Sequence, residues 1–132
     1  LDKNHVIYQI QTKKETIKYY SKTDVDRKYD MVVLVNEYSA SASEMFTAAM
    51  KEEYGATIVG TKTFGKGTVQ EVQNSISGDF QYKLTTKKWL TPKGNWINGK
   101  GITPDIIVEL DQNNLENDSQ LERALEEIIK KH

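Results

Sequence analysis

Residues 31–60 constrain the fold of this chain more than any other stretch. "MVVLV" (31–35) is an uninterrupted, mainly β-branched run, the pattern of a strand buried on both faces. From Ser41 the apolar residues take a helical period. Met45 with Ala49 and Phe46 with Met50 stand four apart, and Gly55 sits where a C′ glycine ends a helix. "ATIVG" (56–60) then supplies a second buried strand. Strand, helix and strand over about thirty residues make a βαβ unit, so the two strands run parallel. The loops after Val35 and Val59 therefore leave the same sheet edge, where open α/β sheets gather their sites. The serines of "SASASE" (39–44) and the loop "GTKTFGKG" (60–67) can meet there.

The rest of the chain is richer in strands. Residues 6–11 and 16–20 read as a hairpin around "TKKE", followed by the charged loop "SKTDVDRKYD". "TVQEVQ" and "FQYKLTTKKWL" read as an antiparallel pair around "NSISGD". "TPKG", "NG" and "ITPD" punctuate a loop region before a strand expected at Ile106–Leu110. A capping box at Ser119 and Glu122 opens a final amphipathic helix, with Leu121, Leu125 and Ile128 as its packing stripe and basic residues at its end. The fold class is α/β, with a βαβ unit and a C-terminal helix in a β-rich core.

Bulk properties exclude several functions. A chain of 132 residues suits one domain. Its 18 basic and 19 acidic residues are well mixed and give a net charge of −1, which argues against a nucleic-acid or polybasic membrane surface. No apolar run approaches the ~20 residues of a membrane helix. With no cysteine there is no disulfide, zinc-thiolate site or thiol nucleophile. The chain opens without methionine or a signal peptide, and we expect an excised piece of a longer protein. Its 16 lysines against 2 arginines fit a bacterial, AT-rich genome.

The serine cluster has two readings. Ser41 and Glu44 have capping-box spacing, and a capping serine is worth about 1 kcal/mol without any further purpose. The same geometry suits a nucleophile. A serine at a strand-to-helix turn projects from the carboxyl edge, and the Ala42 amide beside it can stabilise an oxyanion. Small neighbours at Ala40, Ala42 and Ser43 let a substrate backbone approach. Helix grammar leaves both readings open. Ser39 and Ser43 read as turn and first-turn residues, Asn36 and Glu37 as loop-binding groups, and Tyr82, Trp89 and Trp96 as core or groove aromatics.

A serine needs a base to attack. The two histidines, His5 and His132, stand at the chain ends. A lysine is the usual alternative, provided burial or a neighbouring cation favours its neutral form. Lys66 stands out because Gly65 and Gly67 flank it in the loop that faces Ser41, with Phe64 beside it to help exclude water. Gly60, Gly65 and Lys66 also match a phosphate-binding loop. Gly67 stands where that motif needs a hydroxyl, however, and a strand-like segment follows where it needs a helix.

"VLVNEYSASASEMFTAAM", "GTKTFGKGTVQ", "WLTPKGNWINGKGITPDI" and "SQLERALEEI" occur in order. Together they resemble the carboxy-terminal processing (tail-specific) serine peptidases over about residues 30–130. The resemblance implies a β-rich α/β core of the crotonase/Clp-protease-like type. It implies Ser41 as nucleophile, Lys66 as general base, Gln70 as the residue that orients Lys66, and acyl-enzyme chemistry without metal or cofactor. Residues i and i+4 of a straight strand lie ~13 Å apart, so contact between Lys66 and Gln70 requires a bend, expected at Gly67. Trp96 departs from the small polar residue more usual at its position.

On this resemblance, residues 1–132 are the later part of a peptidase domain. They divide into a hairpin and charged loop (1–30), a catalytic core (31–110) and a loop with the C-terminal helix (111–132). The export signal, the PDZ domain and the glycine-rich upstream segment normal in the family are not in this sequence. The expected partners are protein or peptide substrates cleaved near their C-termini, with no nucleic acid or nucleotide. The expected location is extracytoplasmic, at the periplasm or cell surface, with the full-length protein exported or membrane-associated. The isolated chain is expected to be weakly active or inactive. The alternative is a non-catalytic binding module on the same scaffold.

Overall fold

The computed structural model describes residues 1–111, 113 and 117–131; His132 and part of the loop before the last helix lie outside them. Strands β1 (Val6–Gln11) and β2 (Thr16–Tyr20) form the expected hairpin. Strands β5 (Thr68–Asn74) and β6 (Gln81–Leu90) form the second antiparallel pair, and the four make one sheet in the order β2-β1-β6-β5. β3 (Val32–Val35), β4 (Thr57–Gly60) and β7 (Ile106–Ile107) make a second, parallel sheet in the order β3-β4-β7. The molecule is a mixed α/β fold.

Between β3 and β4 the chain forms helix α1 (Ala42–Ala49) and a π-helical turn (Met50–Tyr54). Gly55 closes the turn in the left-handed conformation, at φ +78°, and donates to the Met50 carbonyl. This is the expected βαβ unit, with Val33 paired to Ile58 and Val35 to Gly60 in parallel register. α1 lies against β1. Trp89, Ala48, Ile97 and Ile102 form a buried cluster with Ile10, Met45 and Val69 packed on it. That cluster ties the helix to the four-stranded sheet.

Four expectations change. Burial on both faces holds for β4, where Ile58 and Val59 are fully buried, but not for β3, whose Leu34 is 42% exposed. β3 is an edge strand, so packing on one side leaves the other open. The last strand stops at Ile107 instead of Leu110, because the carbonyls of Val108 and Glu109 accept from the side chains of Gln120 and Ser119. Helix α2 (Ser119–Ile129) is capped by Asp118, whose carboxylate accepts from the Gln120 and Leu121 amides at 3.0 Å. Ser119 is therefore the first helical residue and not the cap. α2 packs on β3 and β4 through Ala124 and Ile128, while Leu121 and Leu125 are exposed.

Candidate active site

Ser41 ends the loop after β3 and begins α1. Among the described residues it is the one non-glycine with positive φ, at φ +54° and ψ −113°. Such a conformation costs about 1–3 kcal/mol and persists only where the surroundings impose it. A serine on a strained strand-to-helix turn is the geometry of a nucleophile elbow. The hydroxyl sits toward the Glu44 N–H in the capping-box arrangement that the spacing predicts, without the geometry of a regular cap hydrogen bond. The side chain is half-buried.

Glu44 imposes that geometry. Its carboxylate is fully buried and accepts the Ser41 N–H at 3.0 Å, the capping-box contact. It also accepts the Thr63 hydroxyl at 2.6 Å, the Gly65 N–H at 2.7 Å and the Lys66 N–H at 2.9 Å. One carboxylate thus joins the backbone of the serine turn to that of the lysine loop. Thr63 extends the network by accepting from the Ile102 amide at 2.7 Å. The capping-box spacing located Glu44 in the sequence, but nothing there indicated the donors from the second loop.

The two loops meet as the parallel strands require. Phe64 N–H donates to the Ser39 carbonyl at 3.0 Å, and the Thr61 hydroxyl donates to Glu37 at 3.0 Å. Asn36 accepts the Tyr38 amide, and the Ser39 hydroxyl accepts the Asn36 amide, so these residues shape the turn. Gly65 has φ +90°, and a Cβ there would lie 2.8 Å from the Gly101 nitrogen. The indoles of Trp89 and Trp96 donate to the successive carbonyls of Lys66 and Gly67, at 2.7 and 2.9 Å. Phe64 is 65% exposed and does not line the hollow that holds Ser41 and Lys66. The segment after Gly67 is strand β5, so the loop does not open into a helix of its own as a phosphate-binding loop does.

Ser41, Lys66 and Gln70 all line one hollow of about 350 Å³, together with Met45, Trp89 and Lys83. No hydrogen bond joins the Ser41 hydroxyl, the Lys66 ammonium and the Gln70 amide to one another among the described residues, and Lys66 is open to solvent. The ladder irregularity is not at Gly67. It falls between Val69 and Gln70, where Val69 pairs with Lys87 and Gln70 with Thr85, leaving Thr86 as the extra residue. Such a bulge bends the hairpin and re-aims nearby side chains. Ala42, the residue after Ser41, lines a separate open groove with Val33, Leu34, Val35 and Phe46. His5 pairs with Asp2 at 3.0 Å and lies outside the hollow.

Comparison with known proteins gives a consistent answer. Residues 1–108 match Peptidase family S41. A probable CtpA-like serine protease of Staphylococcus saprophyticus is 46% identical over 112 residues, which is 83% of this chain and 23% of that protein. The Staphylococcus aureus protein of the same description is 41% identical over 112 residues, 83% of this chain and 22% of that protein. Among solved structures, the photosystem II D1 C-terminal processing protease superposes with a TM-score of 0.70 at 30% identity, over 80% of this chain and 28% of that one. The chain spans less than a quarter of the length of these curated relatives.

Proposed function

Because the chain belongs to peptidase family S41, we propose that it carries a serine peptidase site in which Ser41 is the nucleophile and Lys66 the general base. Gln70 orients Lys66, and the Ala42 amide stabilises the oxyanion. The observation that carries this reading is the strained backbone of Ser41, held by the same buried carboxylate that holds Lys66. The shared hollow of Ser41, Lys66 and Gln70 supports it.

In the reaction, neutral Lys66 takes the Ser41 proton as Oγ attacks a peptide carbonyl. Negative charge on the carbonyl oxygen develops beside the Ala42 N–H and the positive end of α1. The tetrahedral intermediate collapses with loss of the amine, which takes the proton from Lys66. Lys66 then deprotonates a water that releases the acyl group, and Ser41 regains its proton. No metal or cofactor is required. In a structure without substrate, the loose geometry between base and nucleophile is the usual state and tightens on binding.

The substrates proposed are proteins cleaved near their C-termini, and the location proposed is outside the cytoplasm. Residues 1–132 are proposed as part of a larger peptidase domain, with a catalytic core at 31–110. Incubation with an unstructured protein ending in an apolar C-terminus tests the activity. Cleavage abolished by Ser41→Ala supports the reading, and cleavage that survives it overturns it. A chain that binds the protein but does not react with a serine-directed phosphonate is a binding module instead.

A further inference from the structure

Lys83 lines the hollow that holds Ser41, Lys66 and Gln70, and no role described above uses it. The register fixes its place. Val72 stands opposite Lys83 and Gln70 opposite Thr85, so Lys83 and Gln70 share one face of the β5–β6 pair as diagonal neighbours, about 7–8 Å apart. The residues around Lys83 on that face are Gln70, Val72, Gln81 and Thr85, all neutral. Of the hairpin's two acidic residues, Glu71 falls on the alternate face, where it is bound by Lys87, and Asp79 lies in the turn between the strands, outside the hollow. No carboxylate lines the hollow, and Lys83 has no ion-pair partner among the described residues.

A cation beside the reactive serine, without a protein anion to neutralise it, favours a ligand that brings one. We propose that Lys83 is a specificity-determining residue that binds a carboxylate of the substrate close to the bond attacked by Ser41. The carboxylate comes either from the substrate C-terminus or from an aspartate or glutamate side chain. The ammonium supplies a point charge with three donors and adapts to either source. The proposal rests on the reading of Ser41 and Lys66 as a peptidase site. Lys66 shares the hollow, so the test must separate the two lysines.

The test measures peptide binding to the chain carrying Ser41→Ala, so that nothing is turned over. Fluorescence anisotropy compares one peptide as free acid and as C-terminal amide, and a second pair with an internal Asp or Asn. The expected preference for the acidic member of one pair is about fivefold, as for a partly exposed ion pair, and it weakens with added salt. Lys83→Gln brings the ratio to one and Lys83→Glu inverts it, while Lys66→Met leaves it in place. The pair that responds identifies the source. Equal binding within both pairs, no binding, or a preference that survives Lys83→Gln overturns the proposal. Failure of the peptidase reading shows separately, as absence of Ser41-dependent phosphonate labelling in the parent chain.

Discussion

At φ +54° and ψ −113°, Ser41 occupies backbone space that glycine accepts far more readily. Relief of that strain predicts that Ser41→Gly stabilises the fold by about 1 kcal/mol in denaturant unfolding while it abolishes phosphonate labelling. A destabilised Ser41→Gly would mean that the conformation is not strained. Glu44→Ala leaves the donors of Ser41, Thr63, Gly65 and Lys66 without their shared acceptor. A loss of about 3 kcal/mol or more is expected, with loss of labelling wherever the variant still folds. At this scale the lack of a histidine away from the chain ends and the flanking glycines pointed to Lys66, while Ser41 was picked from its neighbours by the family resemblance alone; the structure brings the two to one hollow. The second role of Glu44 was not legible. It depends on donors 19 to 22 residues away, whose approach is decided by packing and by no local spacing.

Strands and helices were legible where their signals are local. The β1–β2 hairpin and the βαβ unit follow the periodicity, while the cap of α2 and the end of β7 do not. Asp118 offers two well-placed acceptor bonds and displaces Ser119, whose hydroxyl is drawn to the Glu109 carbonyl. The β5–β6 hairpin carries one pH-dependent pair. The Lys87 ammonium bound to Glu71 holds that carboxyl below the usual carboxylate range, and Glu71 holds Lys87 above the usual lysine value. The lowered carboxyl stabilises the fold above its unfolded pKa, and that contribution is lost as pH falls through the lower folded value. The raised lysine stabilises below its unfolded pKa, and that contribution is lost as pH rises through the higher folded value. Glu71→Gln is expected to remove part of the acid-side loss in a pH series of denaturant melts, with a small effect because the pair is partly exposed. At the start of β5, a Cβ on Gly67 would lie 2.8 Å from the Asn98 nitrogen and 2.9 Å from the Trp96 indole. Gly67→Ala should cost about 1–3 kcal/mol, and Trp96→Phe about 1 kcal/mol through the lost bond to the Gly67 carbonyl.

Across the whole molecule, α1 packs on the four-stranded sheet over the Trp89 cluster, and the serine turn and the lysine loop come to one hollow. The opposite side is open. β3 has one neighbour in its sheet, and Leu34 and Phe46, at 42% and 51% exposure, border the groove beside Ala42. Continuous β-branched sequence predicted full burial of β3, and periodicity could not tell which of its faces this chain covers. An uncovered groove beside the proposed oxyanion amide leads us to expect weak or no turnover of protein substrates by this chain alone. The central claim needs only an activated serine, which a fluorophosphonate reports directly. Intact-mass measurement should find a single adduct, mapped to Ser41 by peptide digestion. It should be absent in Ser41→Ala and form at least about a hundredfold more slowly in Lys66→Met, the usual scale of a lost general base. An adduct on Ser39 or Ser43, no adduct at all, or a rate indifferent to Lys66→Met would contradict the account.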